Sequence, residues 1–132
     1  MGRVQLKKAS LIKKLRKHNY DYLYDKLSQF SELIMPRPIK ADICWFAFPL
    51  TTTGNRGKLV KFLEENGIET RSMFAGNIIR HPAYKNVKYR IGSKLTESDY
   101  ILKQSFWISV HPRMTMDDKE YIINVFKKYY SK

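Results

Sequence analysis

The stretch KLVKFLEENGIETR, residues 58–71, contains a helix-to-strand transition that decides the fold. Apolar residues recur at three- and four-residue steps through residues 58–66, which is the spacing of one helical face. Asn66-Gly67 then ends the helix, because glycine adopts the left-handed conformation of a helix C-terminus at little cost. Residues 68–71 follow as a strand, so we predict a helix packed on a sheet.

Working outward, the sequence predicts a long amphipathic helix and two more strands. Apolar residues continue at helical spacing over residues 4–30 without an intervening proline or glycine. The segments CWFAFPL, residues 44–50, and FWISV, residues 106–110, are rich in aromatic and β-branched residues, as buried strands are. The first of them is predicted to end at Pro49 and Leu50.

Two further helices are predicted from their N-terminal signals. Thr96 is followed three residues later by Asp99, and Thr115 by Asp118, in the manner of a capping box with aspartate in place of glutamate. The predicted order is helix, strand, helix, strand, loop, helix, strand, helix. We therefore expect an α+β fold, with a small, mainly antiparallel three-stranded sheet covered by helices.

The sequence also predicts a division of the chain into two parts. Met-Pro-Arg-Pro at residues 35–38 is expected to be an extended linker, because a residue that precedes proline disfavours the helical conformation. Residues 1–34 would then form a long linking helix, and residues 35–132 an α+β domain.

Composition limits the classes of protein to which the chain can belong. The 132 residues are 43% hydrophobic, which is enough for one packed domain. No apolar run approaches the roughly 20 residues that span a bilayer, and no signal peptide is recognised, so we expect neither membrane insertion nor secretion. Cys44 is the single cysteine and cannot form an internal disulfide. We expect a cytoplasmic protein.

The net charge of +13 is compatible with a phosphate-bearing ligand, an acidic membrane surface or a nucleic acid. The lysines, however, are scattered through segments with helical apolar spacing, where they usually form a solvated face. No nucleic-acid recognition motif accompanies them. A nucleic-acid-binding protein is therefore the less favoured alternative.

Glu69 and Arg71 form the first candidate binding site. Side chains alternate along a strand, so these two point to the same face. An arginine beside a carboxylate can hold phosphates and hydroxyls together, because its planar fork presents several donors. The alternative is an exposed ion pair of little energetic consequence, which the pattern alone favours.

The segment FAGN, which begins at Phe74, extends this candidate site. Gly76 permits a close backbone approach. Asn77 would either stabilise the turn or orient a polar ligand, and Arg80 would either reach a phosphate or remain a solvated cation. Catalytic and metal sites are not predicted, since the three histidines lie in no triad order and no zinc-ligand spacing is present.

Several segments together resemble one known family. These are FPLT (48–51), the long segment 58–84, YRIG (89–92) and SDYILKQSFWISVHP (98–112). They are similar to the C-terminal small domain of the DegT/DnrJ/EryC1/StrS family of pyridoxal-phosphate-dependent sugar aminotransferases and dehydratases, of fold type I. The likeness is greatest to the branch that acts as 3-dehydratases on CDP- or GDP-linked 4-keto-6-deoxyhexoses in lipopolysaccharide biosynthesis.

The resemblance implies functions for the candidate residues. Glu69 and Arg71 would contact a nucleotide-linked 4-keto-6-deoxyhexose, and Phe74, Asn77 and Arg80 would shape and hold its edge. The family's large domain, in cis or in trans, would hold pyridoxal or pyridoxamine phosphate and form a dimer. This chain alone would bind no cofactor and would not be catalytic. The alternative is a standalone non-catalytic partner or regulatory subunit of such an enzyme.

Overall fold

The computed structural model describes residues 2–37, 43–74 and 76–131. Its helices and strands alternate along the chain much as the sequence predicts. The helices are α1 (Gly2–Lys7), α2 (Ala9–Leu27), α3 (Arg56–Glu65), α4 (Thr96–Gln104) and α5 (Met116–Tyr130), with short 3-10 helices at Ile78–Arg80 and Pro82–Tyr84; the strands are β1 (Leu33–Ile34), β2 (Ala47–Thr52), β3 (Thr70–Ser72) and β4 (Ser105–Ser109).

The four strands form one antiparallel sheet in the order β1-β2-β4-β3. The predicted α+β fold with an antiparallel sheet covered by helices is confirmed, but the sheet has four strands instead of three. The additional strand, β1, contains only Leu33 and Ile34, and two residues are too few to give a period in the sequence. Strand β3 lies at one edge of the sheet, and no other strand of the described residues pairs with its far side.

The hydrophobic core lies between one face of the sheet and the helices. Phe48 and Leu50 of β2 alternate with the half-buried Pro49, and Phe106 and Ile108 of β4 alternate with Trp107 in the same way. The buried strand residues pack with buried residues from three helices: Tyr20, Leu23, Leu27, Leu59, Leu63, Ile123, Val125 and Phe126. The other face of the sheet therefore carries Pro49 and Trp107.

Strand β2 differs from its predicted bounds at both ends. It begins at Ala47 and passes through Pro49 to Thr52, although Pro49 was expected to close the strand. Strand β1 pairs with Thr51 and Thr52, and within residues 2–37, 43–74 and 76–131 no strand pairs with Pro49 on that side of β2. A residue without an N–H is tolerated at such a position. Within the predicted linker, Pro38 lies outside the described residues.

The predicted helix over residues 4–30 is instead two helices. A turn at Lys8 separates α1 from α2, and α2 ends at Leu27. The buried face of α2 includes Asn19, whose side chain donates to the carbonyl oxygen of His111 at 2.9 Å. None of the described helices is both long and apolar enough to cross a membrane.

One of the two predicted capping boxes is present. Thr115 N donates to Asp118 Oδ2 at 2.8 Å, and Asp118 N donates to Thr115 Oγ1 at 3.1 Å. The bond from Thr115 N to the carboxylate is the largest cause that lowers the pKa of Asp118. The capping box at Thr96 was wrong, because Thr96 is itself the first helical residue and Leu95 precedes it without a side-chain cap. Asp99 instead bonds outside its own helix.

Candidate functional site

Glu69 and Arg71 lie at the free edge of the sheet and point to the same side, as predicted. Ile68 and Thr70 alternate with them and are buried. The exposed fraction of the side chain is 74% for Glu69 and 63% for Arg71, and Arg71 Nη2 donates to Glu69 Oε1. An ion pair this exposed contributes little to stability. Both side chains are therefore accessible to a ligand that offers phosphate or hydroxyl groups.

An aromatic surface lies next to Arg71. Arg71 is paired across the strands with Trp107, and the Trp107 ring packs edge-on against Phe46, with 5.6 Å between centroids. Phe46 in turn contacts Phe74 at 6.4 Å. A groove of about 170 Å³ is lined by Trp45, Phe46, Ala47, Pro49, Met73, Phe74 and Trp107. We name these seven residues the aromatic groove.

Phe74 projects from the loop after β3. Its side chain is 74% exposed, and its backbone φ of 41° lies in the left-handed region, which non-glycine residues rarely adopt. An exposed aromatic ring on a strained backbone requires that the surrounding structure hold the loop in place.

Asn77 and Arg80 hold this loop in place through hydrogen bonds to Asp99 of α4. Asn77 is buried and donates from Nδ2 to Asp99 Oδ1 at 2.7 Å. Arg80 donates from Nε to Oδ1 at 3.0 Å and from Nη2 to Oδ2 at 2.8 Å, which is a bidentate arrangement. We name these three residues the Asp99 anchor. It ties the loop that follows β3 to the first turns of α4.

The pKa values of the charged pair follow from this geometry. Hydrogen bonds from Arg80 are the largest cause that lowers the pKa of Asp99 to about 2, and the bond from Asn77 acts in the same direction. The bond to Asp99 likewise raises the pKa of Arg80 above its ordinary value. Both groups are thus charged across the physiological range.

Gly76 fixes the loop at a second point. It has a φ of 56°, and a Cβ added there would lie 2.6 Å from Leu102 Cα. The sequence analysis predicted a close backbone approach at this glycine, and the close neighbour is the α4 backbone. Gly76 therefore serves the packing of the loop on α4.

A second cleft, of about 540 Å³, lies beside Glu69 at the end of β3 and β4. Its lining includes Ser109, His111 and Asp117. His111 Nδ1 accepts a hydrogen bond from the backbone N–H of Arg113 at 3.2 Å, which fixes the orientation of the ring. Among the described residues, no group of three or more histidine, cysteine, aspartate or glutamate side chains is arranged to hold a metal ion.

The structure thus brings together Glu69, Arg71 and Phe74 on one side of the sheet, and it gives Asn77 and Arg80 a partner within the protein. The sequence analysis missed Asp99, Phe46 and Trp107 as parts of this region. Asp99 was assigned to a cap, and nothing local links it to Arg80, 19 residues earlier. Trp107 could have been found, because in the predicted strand 106–110 it alternates with Phe106 and Ile108 and so falls on the opposite face.

Comparison with known proteins places the chain in a family. The sequence model of the DegT/DnrJ/EryC1/StrS aminotransferase family matches residues 1–127. The lipopolysaccharide biosynthesis protein RfbH of Salmonella typhimurium is 41% identical over 98% of this chain and 31% of its own length. A dTDP-4-dehydro-2,6-dideoxy-D-glucose 3-dehydratase of Saccharopolyspora spinosa is 36% identical over 97% of this chain and 29% of its own.

Solved structures share the fold. The E. coli GDP-4-keto-6-deoxy-D-mannose-3-dehydratase with bound hydrated PLP superposes with a TM-score of 0.85 at 25% identity, over 94% of this chain and 33% of that one. An aminotransferase from Psychrobacter cryohalolentis, 18% identical, has the same fold, with a TM-score of 0.87 over 98% of this chain and 37% of that one. This chain spans about a third of the length of these relatives. The chain belongs to the DegT/DnrJ/EryC1/StrS aminotransferase family.

Proposed function

We propose that this chain is the small domain of a pyridoxal- or pyridoxamine-phosphate-dependent nucleotide-sugar 3-dehydratase or aminotransferase of deoxysugar and lipopolysaccharide biosynthesis. The similarity to RfbH over 98% of the chain carries this proposal. The activity belongs to a complete enzyme, to which this chain would contribute one wall of the substrate cleft. The linking segment of residues 1–34 would enter this wall through α2, which packs on its core, and the enzyme would act in the cytoplasm.

Within that wall, Glu69 and Arg71 would contact the sugar nucleotide. The guanidinium of Arg71 has donors beyond the one used by Glu69, and these match the oxygens of a phosphate. The Glu69 carboxylate accepts hydrogen bonds from sugar hydroxyls. Because both side chains are exposed and bonded to each other, a ligand can engage them without breaking a buried contact. Phe74, Asn77 and Arg80 would shape and hold the loop at the edge of the ligand.

The cofactor would be held by a separate large domain, in cis or in trans, within a dimer. The lysine that is buried among the described residues of this chain already has partners within the protein. This lysine, Lys119, donates to Asn19 Oδ1 at 3.3 Å and lies 4.9 Å from the Tyr22 ring centroid, so its amine joins α5 to α2. When bound in the large domain, the cofactor supplies an electron sink for the reaction. This chain would orient the sugar and exclude water from one side.

The test is a paired substitution in an enzyme reconstituted from this chain and the cofactor-holding part of a relative. The substrate is GDP-4-keto-6-deoxy-D-mannose or dTDP-4-dehydro-2,6-dideoxy-D-glucose. We expect Glu69→Ala/Arg71→Ala to raise KM by about 10-fold or more, because charge-assisted hydrogen bonds to the ligand are lost.

The matched control is Lys61→Ala/Glu65→Ala, which removes an equally exposed ion pair on α3. This control should change KM by less than about 2-fold, since an exposed pair away from the ligand contributes little. Unchanged KM and kcat in the Glu69→Ala/Arg71→Ala enzyme would contradict the site assignment. Co-purification of this chain with a large-domain protein would test the arrangement in trans.

A further inference from the structure

The loop that presents Phe74 is held at both of its ends. Before the loop, Ser72 is paired with Phe106 in the sheet, and its hydroxyl accepts a hydrogen bond from Arg56 Nη2 at 3.1 Å. After the loop, Gly76 packs against Leu102 of α4. Only three residues, 73–75, lie between these two fixed points. The position of the Phe74 ring therefore depends on how firmly the second end is fixed to α4.

The Asp99 anchor determines how firmly that end is fixed. A single carboxylate accepts three hydrogen bonds, one from Asn77 and two from Arg80. Asn77 is 4% exposed, so its amide would lose a partner in a buried place if Asp99 were removed. Both donors of the Arg80 fork that face Asp99 are used within the protein. These contacts commit Asn77 and Arg80 to the loop.

We propose that Asp99 is a positioning residue of the sugar-nucleotide site, because it holds Asn77 and Arg80 and thereby fixes Phe74 on the side of the sheet that carries Glu69 and Arg71. This inference rests on the function proposed above. It assigns ligand contact to Glu69 and Arg71, which are exposed, and it assigns loop placement to the residues bonded to Asp99. A substitution at Asp99 should thus alter substrate binding without removing any group that touches the substrate.

The first measurement is hydrogen exchange in this chain alone. The amides of Gly76 and Arg80 bond within the loop, to the carbonyl oxygens of Met73 and Asn77. In Asp99→Ala, we expect these two amides to exchange about 10-fold faster or more, while amides of β4 keep their rates. Asp99→Asn keeps an acceptor for Asn77 but loses the charge that pairs with Arg80, so it should give an intermediate change and retain the fold.

The control is Glu97→Gln, which removes a carboxylate from the same first turn of α4. It should leave both amides unchanged, because no hydrogen bond of the described loop involves Glu97. Equal exchange rates in Asp99→Ala and Glu97→Gln would overturn the anchoring part of the proposal.

The second measurement is kinetic and uses the reconstituted enzyme with GDP-4-keto-6-deoxy-D-mannose. Asp99→Ala should raise KM by about 3- to 10-fold and leave kcat within about 2-fold of the parent, since loop order affects binding more than the reacting groups. If Asp99→Ala has the same KM as Glu97→Gln while Glu69→Ala/Arg71→Ala raises KM, the positioning role of Asp99 is overturned and the proposed function stands. If neither set of variants changes KM, the proposed function fails and this proposal fails with it.

Discussion

Two arginine–carboxylate pairs flank the loop after β3, and they differ in what surrounds them. Glu69 and Arg71 are two residues apart on an edge strand, and both side chains are mostly exposed. Arg80 and Asp99 are 19 residues apart and are joined by two hydrogen bonds. The buried Asn77 donates a third hydrogen bond to the same carboxylate. Both arginine side chains are exposed, at 63% for Arg71 and 56% for Arg80, so the pairs differ in the carboxylate: Glu69 is accessible to a ligand, whereas Asp99, 27% exposed, is engaged within the fold.

The difference shows that an ion pair is interpreted best from its neighbours. An exposed pair contributes little to stability, and both of its side chains stay accessible for binding. A pair with a buried third partner fixes the chain, because removal of the carboxylate leaves donors without acceptors. The loop after β3 thus has a fixed side, at Asp99, and an exposed side, at Arg71 and Phe74.

The largest effect is expected at Gly76, where the loop packs on α4. Gly76→Ala should lower the free energy of unfolding by about 2–4 kcal/mol, because the new Cβ would meet Leu102 Cα at 2.6 Å and the φ of 56° disfavours alanine. Gly67→Ala is the matched control. Its φ is 73°, but nothing lies within 4 Å, so only the backbone cost of about 1 kcal/mol should appear in urea unfolding. Equal losses for the two variants would show that the loop is not packed tightly on α4.

A smaller effect is expected from the titration of Asp99. Its folded-state pKa of about 2 lies below the ordinary 3.8, so the ionised carboxylate stabilises the folded state above about pH 4. That contribution should be lost as the pH falls from 4 towards 2. The urea midpoint of Asp99→Asn should therefore fall less steeply over this range than that of the parent.

Arg80→Gln provides a second form of the same measurement. Arg80 is the main cause of the lowered pKa, with Asn77 and Lys103 acting in the same direction. Its replacement should return the pKa of Asp99 towards 3.8 and flatten the dependence on pH in the same window. An unchanged slope in both variants would exclude the anchor as a source of acid sensitivity.

The smallest effect is expected at Phe74, on the exposed side of the loop. Phe74→Gly should be more stable than Phe74→Ala by about 1 kcal/mol, because the φ of 41° suits glycine and strains alanine. Both variants lose the ring contact with Phe46, so their difference isolates the backbone. Thermal or urea unfolding of the two variants measures it. A more stable alanine variant would mean that the loop relaxes once the ring is gone.

Local features of the sequence were enough to predict much of this region. The alternation of side chains placed Glu69 and Arg71 on one face, with Ile68 and Thr70 buried behind them. Gly67, predicted as the end of α3, has the expected positive φ. The Thr115–Asp118 capping box is present because all of its partners lie within one helical turn. Each of these features depends only on residues close in the chain.

Other features could not be predicted, since they depend on the packing of distant segments. Thr96 and Asp99 have the spacing of a capping box, but the carboxylate of Asp99 bonds to Arg80 and Asn77 instead. The short strand β1 exists only because β2 lies beside it. Local spacing carries no information about either neighbour.

The sequence by itself determined that Glu69 and Arg71 share one face, where α3 ends and α5 begins, and the family to which the chain belongs. The tertiary structure alone decided that Asp99 holds Asn77 and Arg80, and that Phe46, Phe74 and Trp107 come together in the aromatic groove. The physical reason is the range of the interactions. Helix caps and strand alternation are set by backbone geometry over a few residues. Hydrogen bonds and ring contacts between separate elements form only after the sheet and α4 have brought those side chains together.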